Sequence, residues 1–284
     1  MKIGVVGRGF VGSAVQFGFS PNTGCNAEVR VYDKDPNKST HTLDEVVNNS
    51  NFIFLSVPTP SNKDGSVNLD IVREVLSDIN KVIKNNTIIL LRSTMIPGST
   101  QEFQNSFPEL KLVFNPEFLT ERSANFDFIN QSRFIVGGQP ENTKKVSEMY
   151  KWRFGQSVPV VETNFETAEL IKYMNNCFFA TKVSFMNEMK LVSDQCGADW
   201  DDAVDGFIRD GRIGHSHLNV PGHDGRAGFG GSCFPKDIQA MINFGQSLGL
   251  KMNTLIGAWE TNLEVRPEKD WEKLKGRAVV SDSE

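Results

Sequence analysis

The stretch GFGGSCFPKD, Gly228 to Asp237, sets a thiol, an ammonium group and a carboxylate close behind a run of glycines. The GFGG segment lets backbone approach a ligand closely, and its N–H groups can form an anion-binding concavity. A cysteine near a lysine has the electropositive surroundings that favour thiolate, the nucleophilic form. Cys233 is therefore the candidate nucleophile. The other cysteines, Cys25, Cys177 and Cys196, lack such neighbours and are expected to be small buried hydrophobes. The four show no CxxC and no paired spacing, so neither a metal site nor a disulfide framework is expected.

A second chemical signal lies at the N-terminus. KIGVVG is a short β-branched run that turns into GRGFVG, placing Gly7, Gly9 and Gly12 in G-x-G-x-x-G spacing around Phe10 and Val11. The three glycines suit a tight turn, room for a pyrophosphate and close packing of a helix on a sheet. The following helix N-terminus offers free N–H groups to phosphates. AEVRVYDKD follows as the next strand and ends with Asp33, which would accept from the adenosine 2′-OH and repel a 2′-phosphate; this favours NAD, with neighbouring Lys34 pulling the other way. A dinucleotide site and a nucleophilic cysteine together suggest oxidation through a thiohemiacetal that loses hydride to become a thioester.

Further candidates lie on a long, mostly apolar segment, ETNFETAELIKYMNNCFFATKVSFMNEMKLVSDQCGA. Here Glu169, Lys172 and Asn176 fall at i, i+3 and i+7. Thr163 with Glu166 reads as a capping box opening this helix, which is expected to be buried, between subunits. A lysine in such a helix needs a partner or a task, or else it snorkels its amine to water. Three strand ends carry turn chemistry: SVPTP at Ser56 to Pro60, STMIPGST at Ser93 to Thr100 and NPEFLTER at Asn115 to Arg122. They make Thr94, Glu117 and Glu121 candidates to line a site, against the plainer reading of turn formers and solvated carboxylates.

The elements that must hold these residues are apolar runs at α/β spacing: NFIFLSV, TIILLRS, KLVF and RFIVGG, with helices such as LDIVREVLSDINKVIK between them. Such continuous runs suit parallel strands buried on both faces. The fold class expected is α/β: a doubly wound Rossmann-like NAD-binding domain over 1–155, then a mostly helical central domain over 156–266 with the long helix and the cysteine loop. Residues 267–284 read as a frayed tail without function. The chain has 284 residues, 39% of them hydrophobic, enough for a real core. A net charge of -5 gives no basic footprint for nucleic acid, and the sequence lacks a charge-free run of membrane-spanning length. The N-terminus lacks a signal-peptide pattern, so a reduced, cytoplasmic setting is expected.

The motifs GRGFVG, YD, SVPTP, RSTMIPGST, NPEFLTE, AELIKYMNN, DGRIG and GFGGSCFPKD follow one another as in the UDP-glucose/GDP-mannose dehydrogenase family, which the chain resembles from Met1 to about Arg266. The resemblance implies oxidation of C6 of a nucleotide sugar to the carboxylate with two NAD, UDP-glucose to UDP-glucuronate being expected. It makes Cys233 the nucleophile and Asp237 the group that positions or deprotonates a water or the hydroxyl. Lys172 would stabilise the oxyanion, Asn176 would hold a water or the sugar, and Thr94 with Glu117 would act in thioester hydrolysis. NAD would be held by Gly7, Gly9, Phe10, Val11, Gly12, Asp33, Lys34, Val57, Pro58, Thr59, Ser93, Thr94 and Glu121. The sugar nucleotide would meet Phe118, Leu119, Glu121, Lys172, Asn176, Phe229, Gly230, Gly231 and Lys236, with Arg212 reaching across from a partner in a homodimer built on the long helix.

Two departures stand out. The chain stops where the family's third, nucleotide-covering domain would begin, and between Asp33 and NFIFLSV the family's longer connection is replaced by the short KDPNKSTHTLDEVVNNS. An insertion, HSHLNVPGHDGRA before GFGG, brings His215, His217, His223 and Arg226 as candidates to meet a diphosphate, against the plainer reading of a solvated loop. A non-catalytic NAD-binding subunit that needs a separate nucleotide-binding domain, and a dehydrogenase of another sugar substrate, are the alternative readings.

Overall fold

Each apolar run forms a strand of four or five residues whose side chains alternate between two cores. In β1 (Lys2–Val6), Ile3 and Val5 face one core and Val6 the other. In β3 (Phe52–Leu55) and β4 (Ile88–Leu91), Phe52, Phe54, Ile88 and Leu90 join the first core, and Ile53, Leu55, Ile89 and Leu91 the second. Burial on both faces explains why these strands read as unbroken hydrophobic runs. The computed structural model describes residues 1–281.

With β2 (Glu28–Tyr32), β5 (Lys111–Phe114), β6 (Phe134–Gly138) and β7 (Val160–Thr163) these strands make one sheet in the order β2-β1-β3-β4-β5-β6-β7. One face is covered by α1 (Phe10–Gly18), while α2 (Leu43–Asn48), α3 (Asp70–Val82) and α4 (Ser99–Ser106) supply the other. α3 shows why: Val72, Leu76 and Ile79 are fully buried at helical spacing. α5 (Ala124–Ile129) and α6 (Pro140–Phe154) join α1, Phe128 packing so tightly on Gly18 that a Cβ there would lie 2.2 Å from its ring. The doubly wound arrangement is thus the one expected. Strand order reverses between the neighbouring β1 and β3, which opens the crevice where such sheets bind ligands.

The sheet departs from expectation in two ways. RFIVGG does not form a parallel neighbour of KLVF: β6 runs antiparallel to β5, because an apolar run reports burial on both faces and not direction. The sheet also continues past Gly155 to Thr163, since β7 pairs in parallel with β6.

The chain divides into two compact units, Met1–Thr59 with Leu69–Lys172, and Pro60–Asn68 with Tyr173–Glu284. The second contains most of α7 (Phe165–Cys196) and then α8 (Trp200–Ile208), α9 (Phe234–Ser247) and α10 (Asn253–Val265). The cap of α7 is Asn164 and not Thr163: Asn164 Oδ1 accepts the Thr167 N–H at 2.8 Å, whereas Thr163 belongs to β7 and pairs with Gly137. α7 is not buried throughout, for Leu170, Met174, Phe178, Phe185, Met189, Leu191 and Val192 are exposed. Cys196 likewise is exposed, because α7 ends there on the surface, while Cys25 and Cys177 are buried.

The expected frayed tail is ordered through Ser281. Trp271 and Ala278 are buried, and Ser61 holds the segment by donating its N–H to Ala278 O and accepting from Val280 N–H, both at 2.9 Å. Apolar residues hidden in a charged segment give it an anchor that composition conceals. Residues 282–284 lie outside the described residues.

Candidate active site

In the first unit the turn after β1 is shaped by its glycines. Gly7 has φ +88 and a Cβ on it would lie 2.3 Å from Ser56 O; a Cβ on Gly12 would lie 1.9 Å from Gly7 O. Gly9 differs, because an added Cβ there meets nothing within 4 Å. It caps α1 with no side-chain hydrogen bond, leaving the helix N–H groups for an anion. At the end of β2, Asp33 Oδ2 accepts the Arg8 N–H at 2.5 Å, tying the carboxylate to the turn, while Lys34 is exposed. Packing demands Gly7 and Gly12, while the space at Gly9 leaves room for a ligand to approach the backbone at the helix N-terminus. These residues fit a dinucleotide.

The two loops beside this turn are stitched together. Ser93 Oγ donates to Val57 O at 2.6 Å and accepts from Val57 N–H at 3.2 Å, and Thr59 Oγ1 donates to Thr94 O at 2.9 Å. Val57, Pro58, Thr59, Ser93 and Thr94 are therefore one connected surface. Phe10 and Val11, half-buried, open α1.

Beyond β5, Glu117 and Lys172 form a pair with both side chains under 10% exposed. Lys172 Nζ donates to Glu117 Oε1 at 3.0 Å and to Glu117 O at 2.6 Å, and Glu117 Oε2 accepts the Leu119 N–H at 2.7 Å. Lys172 does not snorkel. The Phe118 ring lies between two cations, Arg133 at 4.5 Å and Lys172 at 5.4 Å from its centroid. Glu121 is exposed in the following 3₁₀ turn, Glu121–Ser123. A turn earlier on α7, Glu169 is fully buried and caps α4, accepting from Gly98 N–H at 2.7 Å, Thr100 N–H at 2.8 Å and Thr100 Oγ1 at 2.6 Å. Burial pushes its carboxyl up to about 7 against the pull of those hydrogen bonds.

In the second unit Cys233 stands at the N-cap of α9, half-buried, with Ser232 Oγ 3.8 Å from its sulfur. One turn on, the Asp237 N–H donates to Cys233 O at 2.8 Å, and the Asp237 carboxylate, 1% exposed, accepts from Asn176 Nδ2 at 2.6 Å and Lys236 Nζ at 2.5 Å. The positive charge near the cysteine is thus already paired with a carboxylate. Cys177 illustrates the contrast: burial first, and then the Asp237 charge, push its thiol well up, so it stays protonated. Arg212 faces solvent on the loop after α8, its guanidinium paired with Asp210. In the inserted loop His217 stacks on Phe179 at 4.1 Å and Asp224 pairs with Arg266 at 2.6 Å, so its mainstays are internal contacts; Arg226 lies 3.7 Å from Glu268.

The sequence did not single out Asn262 or Arg266, which hold the GFGG backbone from α10 and its end. Asn262 Oδ1 accepts the Phe229 N–H at 2.7 Å and Asn262 Nδ2 donates to Phe229 O at 3.0 Å. Their signal is a polar residue inside the helix of GAWETNLEVR and a charged one at its end, visible only once the burial around them is known.

A glycine turn opening onto a helix N-terminus at a topological switch point, with a carboxylate at the end of β2, defines a Rossmann-type dinucleotide-binding protein. Residues 37–153 match the NAD binding domain of the UDP-glucose/GDP-mannose dehydrogenase family and residues 166–264 match its central domain. The chain belongs to that family, and its cofactor is NAD. It is 32% identical over 234 residues to the UDP-glucose 6-dehydrogenase TuaD of Bacillus subtilis, covering 80% of this chain and 49% of the relative. It is 35% identical over 264 residues to a UDP-glucose 6-dehydrogenase of Rickettsia prowazekii, covering 87% and 59%. The structure of a UDP-glucose dehydrogenase from the archaeon Pyrobaculum islandicum superposes with a TM-score of 0.80 at 28% identity, covering 93% of this chain and 68% of that one. The chain spans about half the length of the curated relatives it matches. Among the described residues no helix is long and apolar enough to cross a membrane.

Proposed function

We propose that the protein oxidises the C6 hydroxymethyl group of a nucleotide sugar to a carboxylate with two equivalents of NAD, and that UDP-glucose, giving UDP-glucuronate, is the substrate. The observation that carries this reading is the Cys233–Asp237 turn, where a half-buried thiol at a helix N-terminus precedes a buried carboxylate held by Asn176 and Lys236. The relatives named as UDP-glucose 6-dehydrogenases support the choice of sugar nucleotide.

NAD supplies, when bound, the acceptor for the hydride lost at each oxidation. In the first, the C6 hydroxyl gives its proton to a base, for which we assign Asp237, and C6 loses hydride to leave an aldehyde. The Cys233 thiolate adds to that carbon, forming a C–S bond as the carbonyl pair moves to oxygen, where the Lys172 ammonium stabilises it. When a second hydride leaves, the oxygen pair re-forms C=O and a thioester results. Water deprotonated by Glu117, with Thr94 beside it, then adds at the carbonyl; the C–S bond breaks, its electron pair returns to sulfur, and the carboxylate is released. Asn176 orients Asp237 for the first step. We assign the nucleotide sugar to Phe118, Leu119, Glu121, Phe229, Gly230, Gly231 and Lys236.

The homodimer is part of the same reading. The exposed Leu170, Met174, Phe178, Phe185, Met189 and Val192 recur at three-, four- and seven-residue intervals on α7, which suits a helix pairing with a second copy. Arg212, outside its own chain's polar cluster, would then serve the partner. Light scattering should give a dimer for the parent and a monomer for Phe178→Glu; a monomeric parent removes this part. For the activity, NADH formed per UDP-glucose consumed is the test. Two NADH per sugar supports the reading, whereas NAD binding without turnover of UDP-glucose or of any other nucleotide sugar in a panel overturns it.

A further inference from the structure

The backbone leading to Cys233 is held by side chains almost peptide by peptide. The Gly228 N–H donates to Asn187 Oδ1 at 3.1 Å, and the Asn262 amide, fully buried, pairs with both the N–H and the carbonyl of Phe229. Arg266, 2% exposed, spreads its guanidinium over three acceptors: Nη1 donates to Ala227 O at 3.2 Å, Nη2 to Asp224 Oδ2 at 2.6 Å and Nε to Asp270 Oδ1 at 2.6 Å. Burial pushes the Asp270 carboxyl up, but Arg266 and, to a lesser degree, the Gly231 N–H hold it below its ordinary value. Two glycines are shaped to this scaffold. A Cβ on Gly228 would lie 2.5 Å from Asn262 Oδ1, and one on Gly230 would lie 2.4 Å from Arg266 Nη2.

A glycine-rich loop left to itself samples many conformations, and ordering it costs conformational entropy. Here a buried amide and a buried guanidinium fix that loop, and the two carboxylates on Arg266 come from Asp224 in the inserted turn just before the loop and from Asp270 in the 3₁₀ turn Asp270–Lys273, one turn beyond Arg266 itself. We propose that Asn262 and Arg266 are positioning residues, which with Asp224 and Asp270 hold residues 227–231 and so set the place of the Cys233 thiol. The helical C-terminal half of the second unit then contributes to reactivity without touching the reacting atoms. The geometry gives the two residues distinct tasks. Asn262 fixes the height of Phe229, while Arg266 locks the start of the loop to the inserted turn before it and to the 3₁₀ turn beyond α10.

The effect on turnover rests on the function proposed above, but the effect on the thiol does not. The test therefore takes two readouts from Asn262→Ala and Arg266→Lys, each confirmed folded by circular dichroism. The first is steady-state kinetics. A displaced nucleophile lowers kcat on the order of 10–100-fold while KM for NAD stays at the parent value, since a misplacement of about 1 Å can cost roughly 100-fold. The second is the rate at which iodoacetamide alkylates Cys233 with no substrate or NAD present, read by peptide mass because Cys196 is exposed too. It should change several-fold in both variants, with Cys196 labelling unchanged. If the parent turns over and both variants keep its kcat, the proposal is overturned. If the parent does not turn over, the functional reading fails and alkylation decides: a changed Cys233 rate upholds the positioning role, and an unchanged one ends it. Should Asn262→Ala not fold, Arg266→Lys decides in the same way on its own.

Discussion

The glycine turn at Gly7 to Gly12 and the glycine loop at Gly228 to Gly231 have similar compositions and are held in opposite ways. The first is shaped mainly by backbone, with the Asp33 carboxylate adding a hydrogen bond at Arg8: the contacts forbidding a Cβ at Gly7 and Gly12 are to Ser56 O and Gly7 O. The second is fixed by side chains distant in sequence, with Asn262 and Arg266 against Gly228 and Gly230. A turn of the first kind needs only the right spacing and tolerates change elsewhere. A loop of the second kind is as good as its remotest clamp, and it can be tuned from outside the site.

The greatest loss among single substitutions belongs to Cys233, which the second loop presents. Cys233→Ser should reduce NADH formation at least about a thousand-fold, or about 4 kcal/mol, while leaving the melting temperature and NAD binding as in the parent. Next comes Gly12→Ala, where backbone cannot yield; a loss of about 3 kcal/mol in urea unfolding is expected, and a stability equal to the parent would show that the turn relaxes as a side chain would.

Glu169 asks whether side-chain clamping also rules a loop of the first unit. Its folded value of about 7 lies above the ordinary 4.5, so the folded state holds the proton more tightly. Its stabilisation is therefore complete below the lower value and is lost as pH rises through about 7, by on the order of 2 kcal/mol. The stability advantage of the parent over Glu169→Gln should shrink between about pH 5 and 7.5; a constant difference would mean that Glu169 does not titrate there. Gly9→Ala should cost no more than about 1 kcal/mol of stability yet weaken NAD at least about tenfold, the reverse of Gly12→Ala. The smallest change is expected of Lys34→Ala, where the exposed ammonium should alter the NAD to NADP affinity ratio by only a few-fold.

The same contrast explains what was legible in the sequence. The first turn, its strands and the two-sided core could be read because their causes are local: spacing of glycines, runs of apolar residues, an acid at the end of β2. Cys233, Lys236 and Asp237 were legible as chemistry, and so was Lys172 as a lysine needing a partner. Which partner it takes depends on a chain reversal after β5 that brings Glu117 to it across 55 positions. Asn262 and Arg266 were invisible for the same reason, since a polar residue on a helix or at its end declares its task only when the buried surroundings are known. The direction of β6, the Asn164 cap and the anchoring of Trp271 likewise turn on pairing and burial rather than on composition.

Covalent catalysis through Cys233 is best tested by the mass of the Cys233 peptide from enzyme acid-quenched during turnover of UDP-glucose with NAD. A fraction of that peptide should be raised by the mass of UDP-glucuronate less water, the thioester, and none should be in Cys233→Ser. Two NADH per sugar formed with an unmodified Cys233 peptide, and formed equally by Cys233→Ser, would contradict the mechanism.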